Sequence, residues 1–200
     1  MNYSQIITNT ETYIKDLFSK HPDKQFPYHN QEHTILTVLH AREIARHYAL
    51  DDDNSFIVTI AAWFHDIGHL FAPLEKHEEK GAEIMAQYLS CLPSTTNLPQ
   101  HLIPAIAGCI LATKFPSYPK NRNEEIICDA DTYHFGTEYF RQTDNAVRTE
   151  IELRTGRSFP DWHKKTIALL RMHHFFTDYC QHLLNPGKQE NIAWLQSLPD

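Results

Sequence analysis

No apolar run in these 200 residues approaches the roughly 18 needed to span a bilayer. The polar N-terminus has no signal-peptide core. The four cysteines, Cys91, Cys109, Cys128 and Cys180, are far apart, and no CxxC pair suggests a zinc or redox motif. Scattered cysteines in apolar context fit buried thiols in a reducing compartment, so a cytoplasmic protein is expected. Excess positive charge is missing too. A net charge of −7 argues against a nucleic-acid polymer as ligand. It leaves room for a small phosphorylated ligand, because a bound cation reverses the local potential. Gly-rich phosphate loops, G-x-S-x-G and H-E-x-x-H are absent. So are internal repeats, low-complexity segments, linkers and alternating strand patterns.

What remains is helical. The apolar fraction is 42%, enough for one domain with a sizeable core. Tyr3, Ile6, Ile7, Ile14, Leu17 and Phe18 predict an amphipathic helix ending before Pro22, followed by a loop over 21–28. A second helix is expected over 30–48, with Ile35, Val38 and Leu39 inward. The acidic run 51–54 caps a third over 55–67, which Gly68 stops. A fourth covers 73–92 with Pro73 as its first residue, and 93–99 is a loop. Ile103, Ile106, Ala107, Ile110 and Leu111 follow i, i+3, i+4, i+7, i+8, broken by Pro116 and Pro119. Further helices are expected over 124–133, 144–154 and 161–184, the last carrying His173-His174-Phe175-Phe176. Pro186 starts a short final one with Ile192, Trp194 and Leu195. The fold class is all-α, a single compact bundle over 1–200, with C-terminal helices over 144–198 packed on it.

One stripe leads to chemistry. Phe56, Ile60, Phe64 and Ile67 recur at i, i+4, i+8 and i+11. They frame Ala62-Trp63-Phe64-His65-Asp66-Ile67-Gly68-His69. An adjacent His and Asp at a helix end sit about 100° apart and point into one pocket. An ionised Asp near apolar packing is costly unless something positive is near, and a divalent cation is the simplest candidate. Alone, the doublet reads equally well as a helix-terminal His and a solvated Asp.

Two other stretches join it: Tyr28-His29-Asn30-Gln31-Glu32-His33-Thr34 upstream and Asp129-Ala130-Asp131 downstream. This order resembles the HD superfamily of metal-dependent phosphohydrolases over residues 26–135. The resemblance implies that His33, His65, Asp66 and Asp131 ligate a divalent cation. Asp131 is chosen because the family's ligand follows a small residue in an Ala-Asp pair; Asp129 would face elsewhere and sit behind the ligands. Two imidazoles and two carboxylates suit Mn²⁺, Fe²⁺, Co²⁺, Ni²⁺ or Zn²⁺, with Mg²⁺ also in range.

The Tyr28-His29-Asn30-x-x-His33 pattern also looks like that of cyclic-nucleotide phosphodiesterases. This implies His29 as general acid, sharing a helix face with His33 if the helix begins by His29. A capping His would read the same. His69 lies four after His65, near the substrate and the second metal in those enzymes, or simply on the exposed turn after Gly68. His77-Glu78-Glu79-Lys80-Gly81 resembles the HEExGA stretch of small HD proteins, where Glu78 or His77 could reach the metal's water; a solvated first helical turn explains it as well. Lys114 resembles a basic residue near the phosphate, or is a solvated helix-end Lys.

The expected function is a metal-dependent phosphohydrolase acting on a small phosphorylated metabolite, a nucleotide by preference, with no membrane partner and a homodimer as one option. Two rivals stand beside it. The first is a di-iron oxygenase of the same fold, disfavoured because the helix at Ile110 and Leu111 lacks a His; His77 or His101 would have to serve. The second is a non-catalytic nucleotide-binding HD domain.

Overall fold

Side-chain caps set many of the helix starts. Asn2, Asn30, Asp51, Asn121 and Thr177 each accept a hydrogen bond from a backbone N–H in the first turn of the helix they precede. The computed structural model describes residues 2–22, 26–93 and 98–198. Among them run α1 (Tyr3–Lys20), α2 (Gln31–His47), α3 (Asp52–Phe64), α4 (His77–Ser90), α5 (Leu102–Ala112), α6 (Arg122–Asp131), α7 (Phe140–Thr155), α8 (Trp162–Met172) and α9 (Asp178–Gln196). No strand is present among the described residues. Of the loops expected over 21–28 and 93–99, residues 23–25 and 94–97 lie outside the described residues.

Helix α3 is central because every residue from Phe56 to Phe64 is buried. A helix apolar all round must be enclosed, and α1, α2, α5 and α6 pack around it. The predicted stripe holds: Phe56, Ile60, Phe64 and Ile67 are all in the core. A smaller cluster of Phe140, Leu170, Ile192 and Leu195 joins α7, α8 and α9. No helix is long and apolar enough to cross a membrane among the described residues.

Several expected boundaries move, each for a local reason. Asp51 accepts from Asn54 N at 2.8 Å, so α3 starts at Asp52 rather than 55. Residues 74–76 form a separate 3-10 turn, so α4 starts at His77 and not at Pro73. Leu39 is 53% exposed and Leu111 43%; on these helices Val38, Leu102, Ile106 and Ile110 face the core instead. The helix expected over 161–184 is two helices. His173 to Phe176 run without helical structure between them, because Asp129 draws the N–H groups of Phe176 and Thr177 to its carboxylate at 2.8 Å each. Thr177 then caps α9. Pro186 lies inside α9 rather than at the start of a helix.

Gly68 does not stop α3 by a left-handed turn; among the described residues the only positive-φ glycine is Gly156. It sits in a 3-10 turn, Ile67–Leu70, pressed against α4. A Cβ there would collide with the His77 carbonyl oxygen and approach Gly81 N to 2.8 Å. Backbone atoms cannot swing aside as a side chain can. Gly68→Ala is therefore expected to cost roughly 1–3 kcal/mol, or about 2–4 °C of Tm per kcal/mol in a chain this size. Thermal unfolding followed by circular dichroism checks this, and an unchanged Tm would contradict the packing described.

Candidate metal centre

Three helix ends converge on one spot. His33 is the third residue of α2, whose Asn30 cap accepts from the Glu32 and His33 N–H groups at 2.9 and 3.1 Å. His65 caps the C-terminal end of α3, and Asp66 opens the turn after it. Asp131 is the last residue of α6. His65, Asp66 and His33 are buried, while the Asp131 side chain is 23% exposed and reaches the surface of the site.

Their donor atoms nearly touch. The Nε2 atoms of His33 and His65 are 3.2 Å apart. His33 Nε2 lies 3.2 Å from Asp66 Oδ2 and 3.1 Å from Asp131 Oδ1. His65 Nε2 lies 3.1 and 3.5 Å from the same two oxygens. Donors about 2.1 Å from a common ion stand roughly 3.0 Å apart at right angles and roughly 3.4 Å apart at the tetrahedral angle. The four side chains therefore have the spacing of a ligand set and could hold a metal ion.

Protonation supports this fit. His65 Nδ1 is 2.9 Å from the Ala62 carbonyl, which only accepts, so a neutral ring keeps its proton there and turns a lone pair inward. That lone pair faces the carboxylates, and Asp66 Oδ2 is buried without a well-aligned hydrogen bond. Acceptors crowded together out of water are costly without positive charge between them. Burial alone would lower the pKa of both rings; Asp66 and Asp131 override it and hold His33 above, and His65 well above, the ordinary imidazole value. Burial would likewise raise the carboxylates, yet the rings hold Asp66 and Asp131 well below theirs. The pocket attracts a cation.

Two clefts open beside Asp131. One, of about 550 Å³, is lined by Tyr28, His33, Tyr133, His134 and Tyr139. The other, of about 280 Å³, is lined by His29, Phe135, Phe140, Trp162 and Lys165. Tyr28 Oη lies 3.2 Å from His134 Nδ1 on the shared wall, and burial pushes His134 down to about 3.

The HD domain family model matches residues 30–136 of this chain, more than half its length. The chain belongs to the HD domain family. A comparison with curated proteins finds no match. A crystal structure described as a predicted HD superfamily hydrolase, from an uncultured Thermotogales bacterium, has a TM-score of 0.58 at 18% identity. The alignment covers 98% of this chain and 96% of that one, so the two share a fold over nearly their whole length.

In this HD protein the residues beside the four-residue cluster fall into two groups. His29 precedes the Asn30 cap, so it does not share a helix face with His33; their ring centroids are 6.1 Å apart in an edge contact. His69 is buried, with Nε2 3.8 Å from Asp66 Oδ1 and its ring 4.2 Å from that of His29. His29, Asp66 and His69 form a second group close enough to hold an ion. His77 stacks on His69 at 3.8 Å and turns Nε2 toward Asp66 Oδ1 at 3.7 Å. Glu78 is buried behind it, Oε1 3.5 Å from His77 Nε2 and Oε2 without a hydrogen bond.

The other group lies farther out. Lys114 is half exposed, bonds to Glu79 at 2.8 Å and the Glu75 carbonyl at 3.1 Å, and stands 3.8 Å from Glu78 Oε2. His101 is exposed against Asp53. Asp129 takes no part in the cluster; it holds Phe176 and Thr177 as described above.

Two residues of the site carried no sequence signal. Glu150 of α7 is 1% exposed and accepts from the N–H of Tyr28 at 3.0 Å, the N–H of His29 at 2.9 Å, and His29 Nδ1 at 2.6 Å. Burial would raise Glu150, but His29 and these backbone donors bring it below the ordinary carboxylate value. One turn on, Arg154 bonds to Glu150 Oε1 at 3.2 Å and to His69 Nδ1 at 2.9 Å. Their i, i+4 spacing looks like any solvated helical ion pair. Only the docking of α7, outside the matched family span, brings them inward.

Proposed function

We propose that this HD protein is a metal-dependent phosphohydrolase cleaving a phosphoester of a small metabolite, a nucleotide by preference. The observation that carries the reading is the close cluster of His33, His65, Asp66 and Asp131, spaced as a ligand set, with the His29 imidazole in the cleft beside it. A bound divalent cation would supply a lowered pKa for water and neutralise charge developing on phosphoryl oxygens.

The chain's own residues do the rest. Glu150 anchors His29 Nδ1 and leaves Nε2 for the working proton, which goes to the leaving oxygen. Tyr28, Tyr133 and Tyr139 give the larger cleft aromatic surface suited to a nucleobase. Among its described lining residues that cleft has no Lys or Arg, and the smaller one has only Lys165. A single phosphate group suits that charge supply better than a polyphosphate chain.

Purified protein given Mn²⁺, Co²⁺ or Ni²⁺ is expected to release phosphate or nucleoside from a member of a nucleotide panel, and EDTA is expected to stop it. The spacing of the second group, His29, Asp66 and His69, makes an oxygenase with two irons the alternative. Oxygen consumption by iron-loaded protein without phosphate release would select that alternative. Tight nucleotide binding without turnover would select a binding module.

A further inference from the structure

We infer that the Glu150–Arg154 pair of α7 fixes His29 and His69 in opposite orientations of their protons, making His69 a hydrogen-bond donor toward Asp66 rather than a metal ligand. The inference rests on the proposed function for what the two rings do, but not for where their protons sit.

The partner of each Nδ1 decides the matter. His65 Nδ1 faces the Ala62 carbonyl at 2.9 Å, His77 Nδ1 the Leu74 carbonyl at 2.6 Å, and His29 Nδ1 the Glu150 carboxylate at 2.6 Å. All three partners only accept, so all three Nδ1 atoms carry hydrogen and the Nε2 atoms are free for a metal or a transferable proton. His69 differs. Its Nδ1 meets Arg154 Nη1 at 2.9 Å, and a guanidinium only donates. Nδ1 must accept, so the proton of the ring is on Nε2.

The other end of the ring agrees. His69 Nε2 is a buried atom without a hydrogen-bond partner, 3.8 Å from Asp66 Oδ1. An N–H there is attracted by the carboxylate, whereas a lone pair would be repelled. Binding a cation through Nε2 requires the proton to move to Nδ1, against the guanidinium. Glu150, itself buried and bonded to His29, holds that guanidinium in place. The trio His29, Asp66 and His69 is thus a second ion site in spacing but not in protonation. Its N–H points at the gap beside Asp66, where an oxygen of substrate or solvent would be gripped.

Nitrogen-15 NMR of the zinc- or magnesium-loaded protein tests this, with ring signals assigned by loss in His29→Gln and His69→Gln. Expected is a His69 ring protonated at Nε2 and bare at Nδ1, with His29 protonated at Nδ1. Arg154→Met removes the donor, along with the guanidinium carbon that lies 5.0 Å from the Phe26 ring centroid, and should give His69 a mixed population. Arg154→Lys, which keeps a donor, should restore the wild-type pattern. A wild-type His69 protonated at Nδ1, or with Nε2 bound to metal, overturns the inference. So does an Arg154→Met spectrum identical to wild type. The spectra are read without turnover, so failure of the nucleotide panel would sink the proposed activity while leaving this result to stand or fall separately.

Discussion

Asp131→Ala is expected to strip the protein of metal, while Asp129→Ala keeps it and weakens the fold. Asp131 puts Oδ1 within 3.1 and 3.5 Å of the two ring nitrogens. Asp129, two residues earlier, spends its carboxylate on the backbone N–H groups of Phe176 and Thr177 and on the Thr177 hydroxyl. Loss of a ligand should weaken metal binding beyond the roughly 10–100-fold typical of a lost outer partner. Elemental analysis after dialysis should find wild-type metal in Asp129→Ala and little in His33→Ala, His65→Ala, Asp66→Ala and Asp131→Ala. Asp129→Ala should instead lose about 2–4 kcal/mol of stability, since it leaves buried donors unpaired. The pH dependence has a definite sign. His33 and His65 have raised pKa values and must shed protons to ligate, so affinity falls as pH drops, and it climbs with rising pH until those raised values are passed. Metal retained in Asp131→Ala and lost in Asp129→Ala would reverse the two roles.

How much of this was legible beforehand depends on the range of the signal. The α3 stripe and the His-Asp doublet are both local signals: an all-buried helix announces itself by composition, as the stripe does, and His65-Asp66 follows it directly. The choice of Asp131 over Asp129 is local too, since two residues on a helix are about 200° apart. The helix expected over 161–184 failed because its interruption comes from a distant carboxylate, Asp129, with no trace in the sequence around 173–176. Gly68 looks like a stop signal because glycine usually marks backbone freedom, whereas here it marks contact with α4. Glu150 and Arg154 were invisible for a similar reason. They act across 121 and 85 residues of chain, and nothing in a one-dimensional pattern distinguishes a buried Glu from a solvated one.

His29→Ala is expected to lose roughly 10²–10⁴-fold in turnover of a phosphoester with a poor leaving group, the usual worth of a general acid. Metal content should not change, because the His29 ring is anchored by Glu150 and stands 6.1 Å from that of His33. The loss should shrink with a p-nitrophenyl ester, whose leaving group needs little protonation. Glu150→Gln should fall between wild type and His29→Ala, since a neutral amide can still meet Nδ1 but no longer supports a cationic ring. This leaving-group dependence separates proton donation from simple disturbance of the site. His29 lies just before the Asn30 cap that sets His33, so a structural fault there would displace a ligand, lower metal occupancy and slow both substrates alike. Equal losses on the two substrates, with metal intact, would remove the general acid from His29 and pass the search to His69, whose N–H faces the same space.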